Sequence, residues 1–137
     1  MTLTGVTNQT TLILAPLVGA YLVLSATGFL RAPGAAADFF EDLSKHPAAV
    51  HAVGAIAFLT GAAILSFHRH WATPAEIAVS ATGLWWAFEG GGMLAAPEQV
   101  RRAMMRRGAS RAMRVLNGIA LPIGVYLIIV AIIGRIG

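Results

Sequence analysis

Four long stretches with almost no charged residue constrain the fold of this chain more than any other feature. They cover approximately residues 11–30, 47–67, 74–96 and 113–134. Each is long enough to cross a bilayer, whose hydrocarbon core needs about 20 helical residues. Only 12% of the residues are charged, whereas a soluble domain carries about 25%. The sequence therefore predicts one all-α domain over the whole chain, an integral membrane bundle of four helices.

The distribution of basic residues predicts how these helices are oriented. With four spans, both termini share one side with the connection at 68–73, while the connections at 31–46 and 97–112 lie on the other side. The first side carries Arg69 and Arg135. The second side carries all eight of the other Lys and Arg residues, namely Arg31, Lys45, Arg101, Arg102, Arg106, Arg107, Arg111 and, at its edge, Arg114. Because basic loops stay in the cytoplasm, both termini are expected on the outer side.

The start of the third span is the best-defined boundary in the sequence. Thr73 is followed by Pro74 and, three residues after the threonine, by Glu76. This order is typical of an N-cap threonine, a proline at the first helical position and a glutamate that reaches back to the cap. A helix is therefore expected to begin directly after Thr73.

The two halves of the chain match at an offset of 64 residues, at which Gly28 aligns with Gly92. The block from Gly28 to Pro33 agrees with the block from Gly92 to Pro97 at the glycine, the leucine, the second alanine and the proline. Each block stands at the cytoplasmic end of a predicted helix. The match favours two tandem repeats of helix, interfacial segment and helix, related by an axis along the membrane normal. Two similar helix endings under similar constraints are the alternative.

The two cytoplasmic connections are expected to lie at the membrane surface. Residues 34–45 place Phe39, Phe40 and Leu43 on one helical face, as in a short interfacial helix. Residues 97–111 are basic and would attract anionic lipid headgroups or an acidic partner subunit. The arginines assigned to this contact are Arg101, Arg102, Arg106, Arg107 and Arg111. Nucleic acid is not a predicted partner, since the segment has no aromatic residue for base stacking. The alternative is that these arginines only set the topology.

Glu89 is the most informative single residue. It lies about two turns inside the third span, where a charge exposed to lipid would cost several kcal/mol. Ser25, His51 and Asn117 lie at similar depth on the other three spans, so the sequence predicts a buried polar cluster of these four residues. Glu89 would then either bind a proton or cation, or fix the helix register as a structural acid.

The second span ends with aromatic and basic residues. Trp71, with His68 and His70 before it, is typical of an anchor at the membrane interface. Metal binding by the two histidines is the less favoured alternative, because residues two apart point to different sides of a helix. No metal site is predicted and the sequence identifies no cofactor. Trp85 and Trp86 lie in mid-span and are expected to pack against a neighbouring helix or a flat ligand.

A short pattern resembles small four-helix bacterial inner-membrane proteins of uncharacterised function. It consists of a Gly-x-Leu-x-x-Pro motif ending the first and third spans and a histidine and tryptophan closing the second. The residues that carry it are Gly28, Leu30, Pro33, His68, Trp71, Gly92, Leu94 and Pro97. The resemblance implies a multi-pass protein of the bacterial inner membrane, with the outer termini in the periplasm, and it implies no activity.

For function, the sequence favours a non-catalytic accessory subunit of a larger energy-transducing or transport complex. Its partners would be membrane lipids and other transmembrane subunits, or further copies of itself. A small oligomeric carrier or channel that uses Glu89 to bind a proton or cation is the alternative. An enzyme is less favoured than either, because the sequence has no Ser-His-Asp arrangement, paired carboxylates, phosphate loop or metalloprotease motif.

Overall fold

The computed structural model describes residues 9–32, 34–106 and 109–136, and these residues form six α-helices. Four of the helices are long and two are short. They are α1 (Gln9–Arg31), α2 (Ala35–Lys45), α3 (Pro47–Phe67), α4 (Pro74–Ala95), α5 (Pro97–Met104) and α6 (Ala109–Ile136). The short helices α2 and α5 lie in the two segments that the sequence assigns to the membrane surface.

Proline and a capping box determine where three of the helices begin. Pro47, Pro74 and Pro97 are the first residues of α3, α4 and α5. Proline suits this position because the N–H that it lacks would have no partner within the helix. The Thr73 hydroxyl accepts a hydrogen bond from the Glu76 amide (3.2 Å), and Glu76 Oε2 accepts one from the Thr73 amide (3.1 Å). The predicted start of this helix is therefore confirmed.

The helices α3 and α4 form an antiparallel pair that is held at glycine contacts. Gly54 of α3 adjoins Gly90 of α4, and Gly61 of α3 adjoins Gly83 of α4. A Cβ atom added at Gly61 or Gly90 would overlap the backbone of the facing helix. Because no side chain separates the backbones at these points, the helices pack closely along much of their length.

The helices α1 and α6 form a second antiparallel pair. A Cβ atom added at Gly19 would lie 2.8 Å from the carbonyl oxygen of Gly124. A Cβ atom added at Gly124 would lie 2.8 Å from the carbonyl oxygen of Gly19. The two pairs meet where α1 contacts α4. There the rings of Tyr21 and Trp86 pack edge to face, with centroids 4.9 Å apart.

Two apolar clusters lie at opposite ends of the four long helices. The first cluster joins α1, α3, α4 and α6 near the loop between α3 and α4. Its buried members are Ala15, Val18, Ile64, Ala75, Val79, Leu127, Val130 and Ala131. The second cluster joins α2, α3, α4 and α5 at the other end. Its buried members are Leu43, Val50, Met93 and Met104.

In the part of the chain that the structure describes, three helices are long and apolar enough to cross a membrane. They are α1, α3 and the part of α6 from Arg111 to Gly134. Three of the predicted spans thus fit the bilayer by length and composition. α4 has 22 residues and is not one of these three helices; two tryptophans, Glu89 and a run of three glycines lower its mean hydropathy.

Candidate functional site

A buried polar cluster lies where the beginning of α1 meets the loop between α3 and α4. Thr11, His68 and Ser80 have no exposed surface, and only 3% of Glu76 is exposed. Thr11 belongs to the first turn of α1, His68 follows the last residue of α3, and the other two belong to α4. The cluster therefore joins three helices through side chains that are far apart in sequence.

A chain of hydrogen bonds runs through the His68 ring. The Ser80 hydroxyl donates its proton to the His70 carbonyl oxygen (2.9 Å). Ser80 Oγ must then accept the bond that joins it to His68 Nδ1 (2.9 Å), so Nδ1 carries the ring proton. In the neutral ring Nε2 is an acceptor, and the Thr11 hydroxyl donates to it (2.7 Å). All polar atoms of the ring are thereby satisfied while the imidazole stays uncharged.

Glu76 lies beside this chain of hydrogen bonds and holds the start of α4. Its Oε2 atom accepts bonds from the Ala72 amide (2.9 Å) and the Thr73 amide (3.1 Å). A carboxylate at a helix N-terminus also interacts favourably with the helix dipole. These bonds fix the loop between α3 and α4, which begins at His68, against the start of α4.

Burial favours the neutral form of His68. Removal of the ring from water lowers the pKa of His68, and the neighbouring His70 lowers this pKa further. The carboxylate of Glu76 acts in the opposite direction, with a smaller effect on the pKa than burial. The His68 and His70 rings meet edge to face, with centroids 5.4 Å apart. The sequence-based expectation of a basic anchor thus differs from the structure at His68, because the ring is enclosed by protein.

The hydrogen bonds of the cluster join helices and engage both ring nitrogens of His68 and the Ser80 hydroxyl. The Ser80 proton is directed at a carbonyl oxygen, so no base is placed to activate the hydroxyl as a nucleophile. Both nitrogens of His68 take part in hydrogen bonds, which leaves neither free to bind a metal. Within residues 9–32, 34–106 and 109–136, no group of three or more histidine or acidic side chains is placed to hold a metal ion.

Sequence reasoning missed Thr11, Glu76 and Ser80 as members of a site. Thr73, Glu76 and Ser80 are spaced three and four residues apart, so a polar stripe on the first two turns of α4 was a usable signal. Thr11 carried no signal, because its partner His68 is 57 residues away in sequence.

The structure places the four residues of the predicted cluster in different surroundings. Asn117 is buried, and its Nδ2 atom donates to the Met113 carbonyl oxygen of the same helix (2.8 Å). Glu89 and Ser25 are half-buried, and His51 is exposed. No hydrogen bond joins any two of these four residues in the part of the chain that the structure describes. The network around Glu89 therefore stays a prediction.

The two tryptophans in the middle of α4 lie in different surroundings. Trp86 packs on Tyr21 and on the first apolar cluster, which joins α4 to α1. Trp85 has half of its surface exposed (51%), and Phe88 on the following turn is 78% exposed. Glu89 lies one turn further along α4 than Trp85. Trp86 thus packs on a neighbouring helix, whereas Trp85 stays half exposed.

The basic segment forms an open groove with α2. The groove has a volume of about 360 Å³, and its lining residues are Ser44, Lys45, Glu98, Arg101, Arg102 and Met105. Arg101 Nε donates to the Ser44 carbonyl oxygen (2.7 Å), and Arg101 also pairs with Glu98 (3.0 Å). Arg102, Arg106 and Arg111 are exposed, whereas Arg107 lies outside the described residues. Their contact with anionic lipid stays a prediction.

Comparison of the chain with models of protein families, with curated protein sequences and with solved structures gives no match.

Proposed function

We propose that the chain is a four-span protein of the bacterial inner membrane and a non-catalytic subunit of a larger membrane complex. The fourth span in this proposal is α4, which supplements the three helices that are apolar enough to cross by themselves. The packing of α4 supports this assignment. Because α4 runs beside α3 from Gly54–Gly90 to Gly61–Gly83, it lies at the same depth as α3. Its 22 residues extend about 33 Å, enough for a hydrocarbon core of about 30 Å.

The pairing of the helices supports the tandem repeat in this proposal. A twofold axis that exchanges α1 with α4 and α3 with α6 converts the α1–α6 pair into the α4–α3 pair. The pattern of buried residues also repeats between α1 and α4 at the offset of 64 residues. The buried residues Ala15, Gly19 and Ala26 of α1 correspond to the buried residues Val79, Gly83 and Gly90 of α4. The first helix of each repeat thus pairs with the last helix of the other repeat, α1 with α6 and α4 with α3.

The orientation proposed here rests on basic residues at the two ends of the helices. The end at which α2 and α5 meet carries Lys45, Arg101, Arg102 and Arg106, whereas Arg69 lies at the opposite end, beside His68. By the positive-inside rule the first end is cytoplasmic. Four spans then put both termini in the periplasm.

The observation that carries the proposed subunit role is the exposed face of α4 beside Glu89. We call this the α4 face, and its members are Ile77, Leu84, Trp85 and Phe88, with exposures of 45%, 53%, 51% and 78%. Glu89 is half-buried and lies one turn beyond Trp85 on α4. A half-buried carboxyl group at this depth is costly beside lipid. A transmembrane helix of another subunit that covers the α4 face would remove Glu89 from lipid and supply hydrogen bonds.

The alternative function is an oligomeric carrier or channel that binds a proton or cation at Glu89. One observation favours it. α1 and α4 run parallel and touch at Tyr21 and Trp86. Ser25 and Glu89 lie about one turn beyond this contact, so both polar side chains stand at the same depth on adjacent helices. An ion that entered between the two helix pairs would meet both.

Purification of the full chain from its own membrane in a mild detergent, followed by native mass spectrometry, tests the proposal. A stoichiometric complex with a larger membrane protein is expected. A homo-oligomer that contains no other protein would contradict the subunit role and support the carrier or channel. Proton or cation flux into vesicles that is lost in Glu89→Gln would support the same alternative.

The α4 face is tested by a pair of matched double variants. Trp85→Ala with Phe88→Ala removes apolar surface from α4, and Leu17→Ala with Leu24→Ala removes it from α1, where these leucines are 65% and 73% exposed. We expect the α4 variant to lower recovery of the partner about tenfold, which corresponds to about 1.4 kcal/mol of binding energy. The α1 variant should leave recovery unchanged. Equal loss in both variants would show that the α4 face is not the contact.

A further inference from the structure

We propose that His68 is a pH-sensitive latch that holds the beginning of α1 on the α3–α4 hairpin and releases it when the imidazole is protonated. The latch consists of Thr11, His68 and Ser80. Each belongs to a different part of the fold, and the imidazole contacts the hydroxyl groups of the other two at 2.7 Å and 2.9 Å. Any change in the ring therefore acts on α1 and α4 together.

The neutral ring is the form that fits this site. It needs one acceptor, which is Ser80 Oγ, and one donor, which is the Thr11 hydroxyl. The ring has no exposed surface, so no water takes part in balancing a positive charge on it. Neutral imidazole thus leaves no polar atom of the latch without a partner.

Protonation would occur at Nε2, the nitrogen that accepts from Thr11. The Thr11 hydroxyl would then have to turn and accept, and its own proton would lose the acceptor that it has now. The ring would also acquire a full charge in a buried site, which is unfavourable. Movement of the beginning of α1 away from the hairpin relieves both effects, because it lets water reach the ring.

The groups that face His68 determine the direction of the response. His70 and Glu76 are the titratable neighbours from the loop and from α4, and they have opposite effects on the charged ring. From α1, residues 9–15 contain no titratable side chain, and from α6 none occurs in residues 127–134. The carboxylate of Glu76 is already engaged by the backbone amides of Ala72 and Thr73. The balance of these contacts favours the neutral ring.

The sign of the pH dependence follows from this balance. Burial lowers the pKa of His68 in the closed latch below its value of 6.5 in water. The open latch, in which the ring meets water, therefore binds a proton more readily than the closed latch does. Closure is fully favoured above pH 6.5 and is lost as the pH falls from there through the lowered pKa.

Pulsed electron paramagnetic resonance on the full chain in lipid nanodiscs tests the latch. The chain has no cysteine, so spin labels attach only where cysteine is introduced. Ile13→Cys on α1 and Phe67→Cys at the end of α3 replace residues that are 60% and 75% exposed. The distance between the labels should increase as the pH falls from about 7.5 to about 5, with a midpoint below about 6.5. A second pair at Phe67→Cys and Ile77→Cys, both within the hairpin, should keep its distance.

Two histidine variants assign the change to one ring. His68→Gln keeps a neutral donor and acceptor at every pH, so the distance between α1 and α3 should no longer depend on pH. His70→Gln, the matched change two residues away, should retain the increase. An unchanged distance in the unsubstituted chain between pH 7.5 and pH 5 overturns the proposal, whether or not the His68 variant folds. A response that disappears with His70 and persists without His68 overturns it as well.

Discussion

At the scale of single residues, hydroxyl protons determine what the buried histidine does. The Ser80 proton is committed to the His70 carbonyl oxygen. This one bond assigns the proton of His68 to Nδ1 and makes Nε2 an acceptor for Thr11. A histidine with two hydroxyl partners and no exposed surface is thus held neutral by its contacts, which join α1 to the α3–α4 hairpin.

Removal of the Thr11 hydroxyl is expected to destabilise the protein. Thr11→Val keeps the shape of the side chain and leaves Nε2 of His68 buried without a donor, at a cost of about 1–3 kcal/mol. Thr82→Val is the matched control, because the Thr82 hydroxyl donates to the Ala78 carbonyl of its own helix, whose backbone bond remains. The control should change stability by less than about 0.5 kcal/mol. Unfolding of both variants by denaturing detergent, followed by circular dichroism, measures the difference.

At the scale of helices, small residues decide which helices form pairs. Gly54 and Gly61 on α3 face Gly90 and Gly83 on α4, and Gly19 on α1 faces Gly124 on α6. Lipid supplies no hydrophobic force between helices, so close approach of the backbones and dispersion contacts are what hold such pairs. A residue with a Cβ atom at these positions would separate the helices.

A pair of glycine variants tests this at the helix scale. A Cβ atom at Gly61 would overlap the Ala87 backbone, whereas one at Gly118 has no atom of a neighbouring helix within 4 Å. Gly61→Ala is expected to lower the free energy of unfolding by about 1–3 kcal/mol. Gly118→Ala should leave it unchanged or raise it, because alanine favours a helix. Equal effects in detergent unfolding would show that the α3–α4 contact does not depend on a bare backbone at Gly61.

At the scale of the whole molecule, the two helix pairs are joined at one end by the His68 latch and at the other by α2 and α5. The hydroxyl oxygen of Ser44 in α2 lies 3.0 Å from the sulfur of Met105, directly after α5, and the Ser44 carbonyl oxygen accepts a hydrogen bond from Arg101. The two ends differ in charge, with the arginines concentrated beside α5. This asymmetry is what four membrane spans with a cytoplasmic α5 would require.

Labelling of single cysteines tests the four-span topology. Arg69→Cys, Lys45→Cys and Arg102→Cys are each placed at exposed positions in a chain that has no cysteine of its own. A maleimide that does not cross membranes should label the first in intact cells and should label the other two only after the inner membrane is opened. Labelling of position 102 from outside would show that α4 does not cross back to the cytoplasm.

The predicted polar cluster, which stays a prediction, was chosen from depth along the helices alone. The depth of each residue along its helix could be predicted from the sequence, because the residue number gives this depth once the ends of the helix are known. The direction in which a side chain points depends on which helices form pairs, and no sequence pattern stated that α1 packs on α6. Asn117 is accordingly bonded to its own helix, and His51 is exposed.

The sequence by itself determined the helical class, the three helices apolar enough to cross a membrane, the capping box at Thr73 and the places of the two short helices α2 and α5. These features depend on composition and on neighbours within a few residues, which act before any tertiary contact forms. Only the tertiary structure revealed the pairing of the long helices and the enclosure of His68. Thr11 meets that ring across 57 residues, and contacts over such distances are decided by how glycine surfaces and hydroxyl groups fit together in space.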